Sequence, residues 1–178
     1  VFLAGVGEKM TEVAGEVCDG FICHAFTTER YLREVTVPAL QRGLDASGRT
    51  LADIEISGPA FVVTGSDEES FEKSKAGTRQ QIAFYGSTPA YRGVLDLHGW
   101  GDLQPELNAM SKAGKWKEMG ELIDDDMLDT FAVVAEPSGI APAFTARFGD
   151  VVDRLSFYAP YKNDPDTWLP VIEALQKA

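Results

Sequence analysis

Histidine and cysteine are scarce in this chain, with two of each among 178 residues. Cys18 and Cys23 are too far apart for a Cys-x-x-Cys redox motif. With His24 as the one other soft ligand nearby, they make a poor zinc set, so no metal site is expected. Both read as buried, reduced thiols of a cytoplasmic protein. So few histidines also leave no Ser-His-Asp arrangement with supporting context. No apolar run approaches the roughly 20 residues needed to span a bilayer, and no signal peptide is present, so no membrane partner is expected. Positive charge is in deficit: 16 Lys and Arg against 28 Asp and Glu, a net charge of −12. A phosphate backbone would be repelled on average, which argues against nucleic acid. The run Asp124-Asp125-Asp126 reads as a solvated helix start, because three adjacent helical residues cannot all face one ion. There is no Walker-type lysine turn. The opening glycines do not spell Gly-x-Gly-x-x-Gly either, since Met10 stands where the third glycine would be.

What is present begins at once. Val1–Gly5 reads as an apolar strand and Gly5-Val6-Gly7 as a turn. A helix follows, with Met10, Val13, Ala14 and Val17 at helical spacing. Asp19-Gly20 stops it, and Gly20–His24 reads as a second strand. This is a βαβ unit, the building block of parallel sheets. Its turn presents a glycine-rich backbone at a helix N-terminus, where free N–H groups and the helix dipole favour an anion. A plain tight βα turn accounts for the same residues.

Further along, strands are expected at 54–64 and 151–158. Pro59 cannot donate to a ladder, so the first of these is expected to be broken or bulged. Helices are expected from Thr28 to Ala46, kinked or split at Pro38, from Ser66 onward, and from Pro165 with Trp168, Val171, Ile172 and Leu175 as its stripe. Four strands separated by helical stretches predict an α/β fold with a parallel sheet. Residues 1–178 form a single domain. The segment 66–150 is too long for one crossover helix and reads as a helical insertion, the kind of segment that often covers a site.

An ordered set of motifs runs through the whole chain. It comprises Phe2-Leu3-Ala4-Gly5-Val6-Gly7 with Met10, Ala14-Gly15-Glu16 with Asp19-Gly20, and Phe84 to Arg92. His98-Gly99-Trp100, Asp125 to Phe131 and Val152 to Tyr158 complete it. In this the chain resembles the bacterial-luciferase-like oxidoreductases, most nearly the branch that uses the deazaflavin coenzyme F-420. The resemblance implies the C-terminal half of a (β/α)8 TIM barrel, strands five to eight, with the helical insertion before the last strand. A half barrel exposes two sheet edges, so either a preceding half or another copy of the chain is expected beside it. The start at Val1 points to an incomplete chain. The resemblance further implies a homodimer and hydride transfer between F-420 and a small-molecule substrate. The alternatives are an FMN-dependent monooxygenase of the same fold, or a half-barrel fragment or cofactor-binding relative without activity.

In a (β/α)8 barrel the site lies at the C-terminal ends of the strands. The resemblance implies that Gly5, Val6, Gly7, Glu8, Lys9 and Met10 hold the cofactor phosphate. Glu8 stands where the family often has proline and brings an unwelcome negative charge. His24, at a strand end, is the candidate for proton transfer or hydrogen bonding to substrate; the plain alternative is a structural histidine. Arg79, Tyr85, Tyr91, Trp100 and Tyr158 are the candidates for a substrate pocket, with a packed helical layer as the alternative.

Overall fold

The computed structural model of the chain describes residues 1–162 and 164–177. Five parallel strands form one sheet: β1 (Phe2–Gly5), β2 (Gly20–Cys23), β3 (Glu55–Val63), β4 (Ala132–Val134) and β5 (Arg154–Tyr158). The pairing runs β1–β2–β3, and β5 lies against β3. Ser57 is in register with both Ile22 and Arg154, and Phe61 with both Ala132 and Tyr158. A residue has two edges, so β2 and β4 share one edge of β3, one after the other, and β5 takes the other edge.

This arrangement explains how β3 tolerates Pro59 without the expected break. Glu55 N–H donates to Asp19 O and Ala135 N–H to Val63 O, so odd-numbered residues of β3 turn their backbone groups to the β2/β4 edge. Asp153 N–H donates to Ile56 O, so even-numbered ones turn to β5. Pro59 therefore falls in the gap between the β2 ladder, which ends at Ser57, and the β4 ladder, which starts at Phe61. A missing N–H costs no hydrogen bond there.

The side chains of β3 alternate between two cores. Ile54, Ile56, Ala60 and Val62 are buried with Phe21, Leu40, Leu44 and Phe144, under the helices flanking the sheet. Phe61 and Val63 are buried with Phe26, Ile82, Leu95, Leu107 and Phe131, under the insertion.

α1 (Glu8–Val17) follows β1. α2 (Glu29–Tyr31) is capped by Thr28, whose hydroxyl accepts from Tyr31 N–H at 3.0 Å. It runs through a π turn (Leu32–Thr36) into α3 (Val37–Ser47). Pro38 thus widens the helix by one turn instead of splitting it, since the π turn absorbs the missing donor. Gly48, at φ 70°, ends α3 in the left-handed conformation that glycine adopts freely.

The apolar stripe of α1 is not its buried face. Thr11, Ala14 and Gly15 are buried, whereas Met10 and Val13 are exposed and Val17 is 66% exposed. The small residues win because α1 lies on α3 almost backbone to backbone. A Cβ on Gly15 would stand 2.2 Å from Leu40 O, and one on Gly43 1.9 Å from Glu12 O.

The segment 66–150 contains α4 (Glu68–Gly86), α5 (Arg92–Leu97), α6 (Leu103–Lys112), α7 (Trp116–Gly120), α8 (Asp125–Phe131) and α9 (Pro137–Phe148). It also contains the short strand β4, which the sequence pattern did not reveal. Asp67 and Ser70 close a reciprocal cap on α4, and Asp124 caps α8 by accepting from Met127 N–H at 2.8 Å. α10 (Pro165–Leu175) buries Val171 and packs Trp168 and Leu175 on the first core, leaving Ile172 exposed. No described helix is long and apolar enough to cross a membrane.

The α1–α3 contact makes a sharp prediction. Gly43→Ala should destabilise the chain by about 3 kcal/mol, because the added methyl group meets backbone that cannot step aside. Gly7→Ala should change stability little, since nothing lies within 4 Å of the added atom and φ is −81°. Urea unfolding midpoints of the two variants check this.

Candidate functional site

A cavity of about 620 Å³ opens over the C-terminal ends of β1, β2 and β5. One wall is the turn Gly5-Val6-Gly7 and another is Cys23-His24-Ala25. The insertion contributes Tyr85, Ala90 and Tyr91, and β5 contributes Tyr158. Among the described residues, no Asp, Glu, Lys or Arg lines it.

Gly7 is the N-cap of α1 and offers no side chain to it, so the first-turn N–H groups have no side-chain acceptor. The space beside Gly7 is open. Thr11 donates its hydroxyl back to Gly7 O at 3.1 Å, fixing the turn from below. Glu8 is drawn off by Arg42 of α3, which reaches Glu8 at 2.9 Å and Glu12 at 3.2 Å. Its carboxylate is therefore held toward α3 and does not line the cavity. Lys9 and Met10 are exposed and their side chains do not line the cavity.

His24 is the most constrained polar group in the wall. Its Nδ1 accepts from Phe26 N–H at 3.0 Å. The ring meets Tyr85 edge-on at 4.7 Å and lies 4.8 Å from Tyr91. Burial lowers its pKa from the usual 6.5, so the imidazole is neutral at pH 7. With Nδ1 engaged as an acceptor, the proton is on Nε2.

Tyr85 and Tyr158 share a hydrogen bond of 3.0 Å between their hydroxyls. Burial, then Tyr85, pushes the Tyr158 phenol up to about 12. Cys23 is buried and its thiol is likewise pushed up to about 12, which keeps it protonated and unreactive. Cys18 is also a buried free thiol.

The structure thus brings together Gly5, Val6, Gly7, His24, Tyr85, Tyr91 and Tyr158, and places Arg79 and Trp100 elsewhere. Arg79 is ion-paired to Asp125 at the start of α8. Trp100 stacks on His98 at 4.8 Å and packs against the second core. The His98 Nε2 is bonded to the Thr28 hydroxyl at 2.8 Å, which makes this histidine a tie between the insertion and the cap of α2. Ala4, Ile22, Ala25 and Ala90 also line the wall, and the three alanines carry no sequence signal beyond small size.

A family model described as luciferase-like monooxygenase matches residues 1–154. The chain belongs to this family. An uncharacterized protein of Mycobacterium tuberculosis is 55% identical over 155 residues, covering 87% of this chain and 46% of the relative. The chain therefore spans about half the length of the curated relatives it matches. Among solved structures it resembles the coenzyme F-420 dependent tetrahydromethanopterin reductase from Methanopyrus kandleri. That match has a TM-score of 0.68 and 23% identity, over 86% of this chain and 43% of the other. It also resembles an F-420-dependent secondary alcohol dehydrogenase in complex with an F-420–acetone adduct. Here the TM-score is 0.66 and the identity 16%, over 98% and 48% of the two chains. At these identities the two structures establish a shared α/β fold with a parallel sheet.

Two titrations test the electrostatics of the wall. The fold disfavours protonated His24, so below about pH 6.5 the unfolded chain takes up a proton before the folded one does. The contribution of His24 to stability is thus full above 6.5 and falls as pH drops through its lowered folded pKa. His24→Gln should lessen the fall of stability in that window and leave the share of His98, which burial shifts the same way, as read from urea midpoints. Tyr158 has the opposite sign: its contribution is full below pH 10 and is lost between 10 and about 12. Ultraviolet phenolate titration should show Tyr158 and Tyr161 both ionising near 12, with the Tyr158 share alone moving down in Tyr85→Phe.

Proposed function

We propose that this chain forms the C-terminal half, strands five to eight, of a (β/α)8 barrel in a cytoplasmic, homodimeric oxidoreductase. Its reaction is hydride transfer between coenzyme F-420 and a small organic substrate. The observation that carries the reading is the uncapped start of α1 opening into a cavity with no charged wall. The residues present fit the cofactor. The open cradle at Gly7 admits a phosphate, and the N–H groups of Glu8, Lys9 and Met10 point their helix-end dipole at it. The Arg42 bridge turns the Glu8 carboxylate toward α3 and partly offsets its charge. Bound there, the deazaflavin supplies a carbon centre that gives or takes a hydride. The chain itself supplies the phosphate cradle, an aromatic wall of Tyr85, Tyr91 and Tyr158, and the insertion that shuts out water.

An FMN-dependent monooxygenase is the second reading, favoured by the family's description. Fluorescence titration of the full gene product with F-420 and, separately, with FMN decides between them. Saturable binding of F-420 is expected, weakened about tenfold, or ~1.4 kcal/mol, in Gly7→Ala, whose methyl group occupies the cradle. Preference for FMN moves the function to oxygen activation, and binding of neither removes the cofactor role from Gly5 to Met10. Light scattering should return twice the chain mass; a monomer overturns the dimer.

A further inference from the structure

The wall made by His24, beside the glycine turn, and by Tyr85 and Tyr158 has a chemistry of its own. His24 Nδ1 is taken by Phe26 N–H, which leaves Nε2–H without a protein partner among the described residues. The hydroxyls of Tyr85 and Tyr158 share one hydrogen bond, so whichever accepts keeps its own proton free to donate. All three side chains line the same cavity, and His24 and Tyr85 are in ring contact at 4.7 Å. Around them the wall is Ile22, Cys23, Ala25, Ala90 and Tyr91, with no ionised group.

We propose that His24 Nε2–H and the free hydroxyl proton of the Tyr85–Tyr158 pair form a two-donor site for one oxygen of an uncharged substrate, a carbonyl or the corresponding alcohol. The choice of substrate class follows from what the wall lacks. A carboxylate or phosphate placed here would lose its hydration with no cation in return, and the one feature suited to an anion is the start of α1, at the glycine side. Two neutral donors suit an oxygen that is neutral in the ground state and gains negative charge as its carbon receives hydride. Fixing the imidazole through Nδ1 serves this directly. A histidine that rotated, or carried its proton on Nδ1, would present an acceptor where a donor is needed. The proposal takes the cavity of the preceding section as the substrate site.

The test needs no cofactor, so its outcome is separable from that of the F-420 titration. In the 15N-histidine-labelled full gene product, Nδ1 of His24 should resonate as an unprotonated acceptor and Nε2 as protonated from pH 6 to 8. The opposite tautomer overturns the proposal. Cyclohexanone should shift the Nε2–H resonance saturably, with affinity at least tenfold above both methylcyclohexane and cyclohexanecarboxylate. Tyr85→Phe, which removes a single oxygen atom, should bring cyclohexanone down to the level of the hydrocarbon. His24→Phe should do the same, while His24→Gln, which keeps a donor, restores part of the difference. In uniformly 15N-labelled protein, unchanged amide resonances of Leu44 and Phe144, in the core away from the cavity, mark the variants as folded. Equal binding of ketone and hydrocarbon, a preference for the carboxylate, or full ketone affinity in Tyr85→Phe each overturns the proposal.

Discussion

The alternation of β3 is the constraint on which the rest of this structure depends. A strand sends successive side chains to opposite faces, and β3 uses both. Its even-numbered residues close the core under α1, α3, α9 and α10, and its odd-numbered residues close the core under the insertion. Phe61 belongs to the second set, and its ring meets Tyr158 edge-on at 5.0 Å. Tyr158 is thereby set at the height of the strand ends, where it meets the hydroxyl of Tyr85 from α4. A slip of β3 by one residue would exchange the two cores and dissolve the cavity wall.

The glycine turn is positioned by a separate device. Gly15 and Gly43 let α1 and α3 approach until side chains no longer separate them. This fixes the axis of α1 and therefore the direction in which its first N–H groups point. The same contact brings Arg42 of α3 within reach of Glu8 and Glu12. At the exposures involved, such pairs contribute little to stability. Their consequence here is placement: an acidic side chain at the first position of the helix is held outside the cavity.

Much of this was legible in the sequence, and the failures have physical causes. The βα turn, the second strand ending at His24 and the aromatic faces of α4 and β5 are all periodic features. The rule that barrel sites lie at strand ends then selected Gly5 to Gly7, His24 and Tyr158. Arg79 does not line the cavity, because its helical phase differs from that of Tyr85. Thr78, Ile82 and Tyr85 share one face of α4, while Arg79 is about 100° around the helix from Thr78 and meets Asp125. Trp100 was misplaced because a large aromatic reads the same in a core as in a pocket. β4 was invisible because three residues, Ala-Val-Val, are too few to show a period. The inner face of α1 was misread because close backbone packing selects small residues, which a hydrophobicity pattern discounts.

The sheet itself bears on the half-barrel reading. Parallel sheets are ordinarily covered on both faces. Here the outer face is covered, with Phe21, Cys23 and Ile56 buried beneath helices. The inner face is covered only where the insertion reaches it, around Phe61 and Val63. Toward β1 it is open, and Phe2 and Ile22 are 43% and 38% exposed. The unpaired edge of β1 runs alongside. Apolar side chains on the inner face of a strand with a free edge are what the cut surface of a closed barrel presents. Burying side chains of this kind contributes about 1.5–3 kcal/mol each, and closure would also pair the backbone of β1. The same closure would wall the cavity on its open side, opposite His24 and the tyrosines. The elements that complete the barrel would then face the glycine turn, His24 and the tyrosines across the cavity.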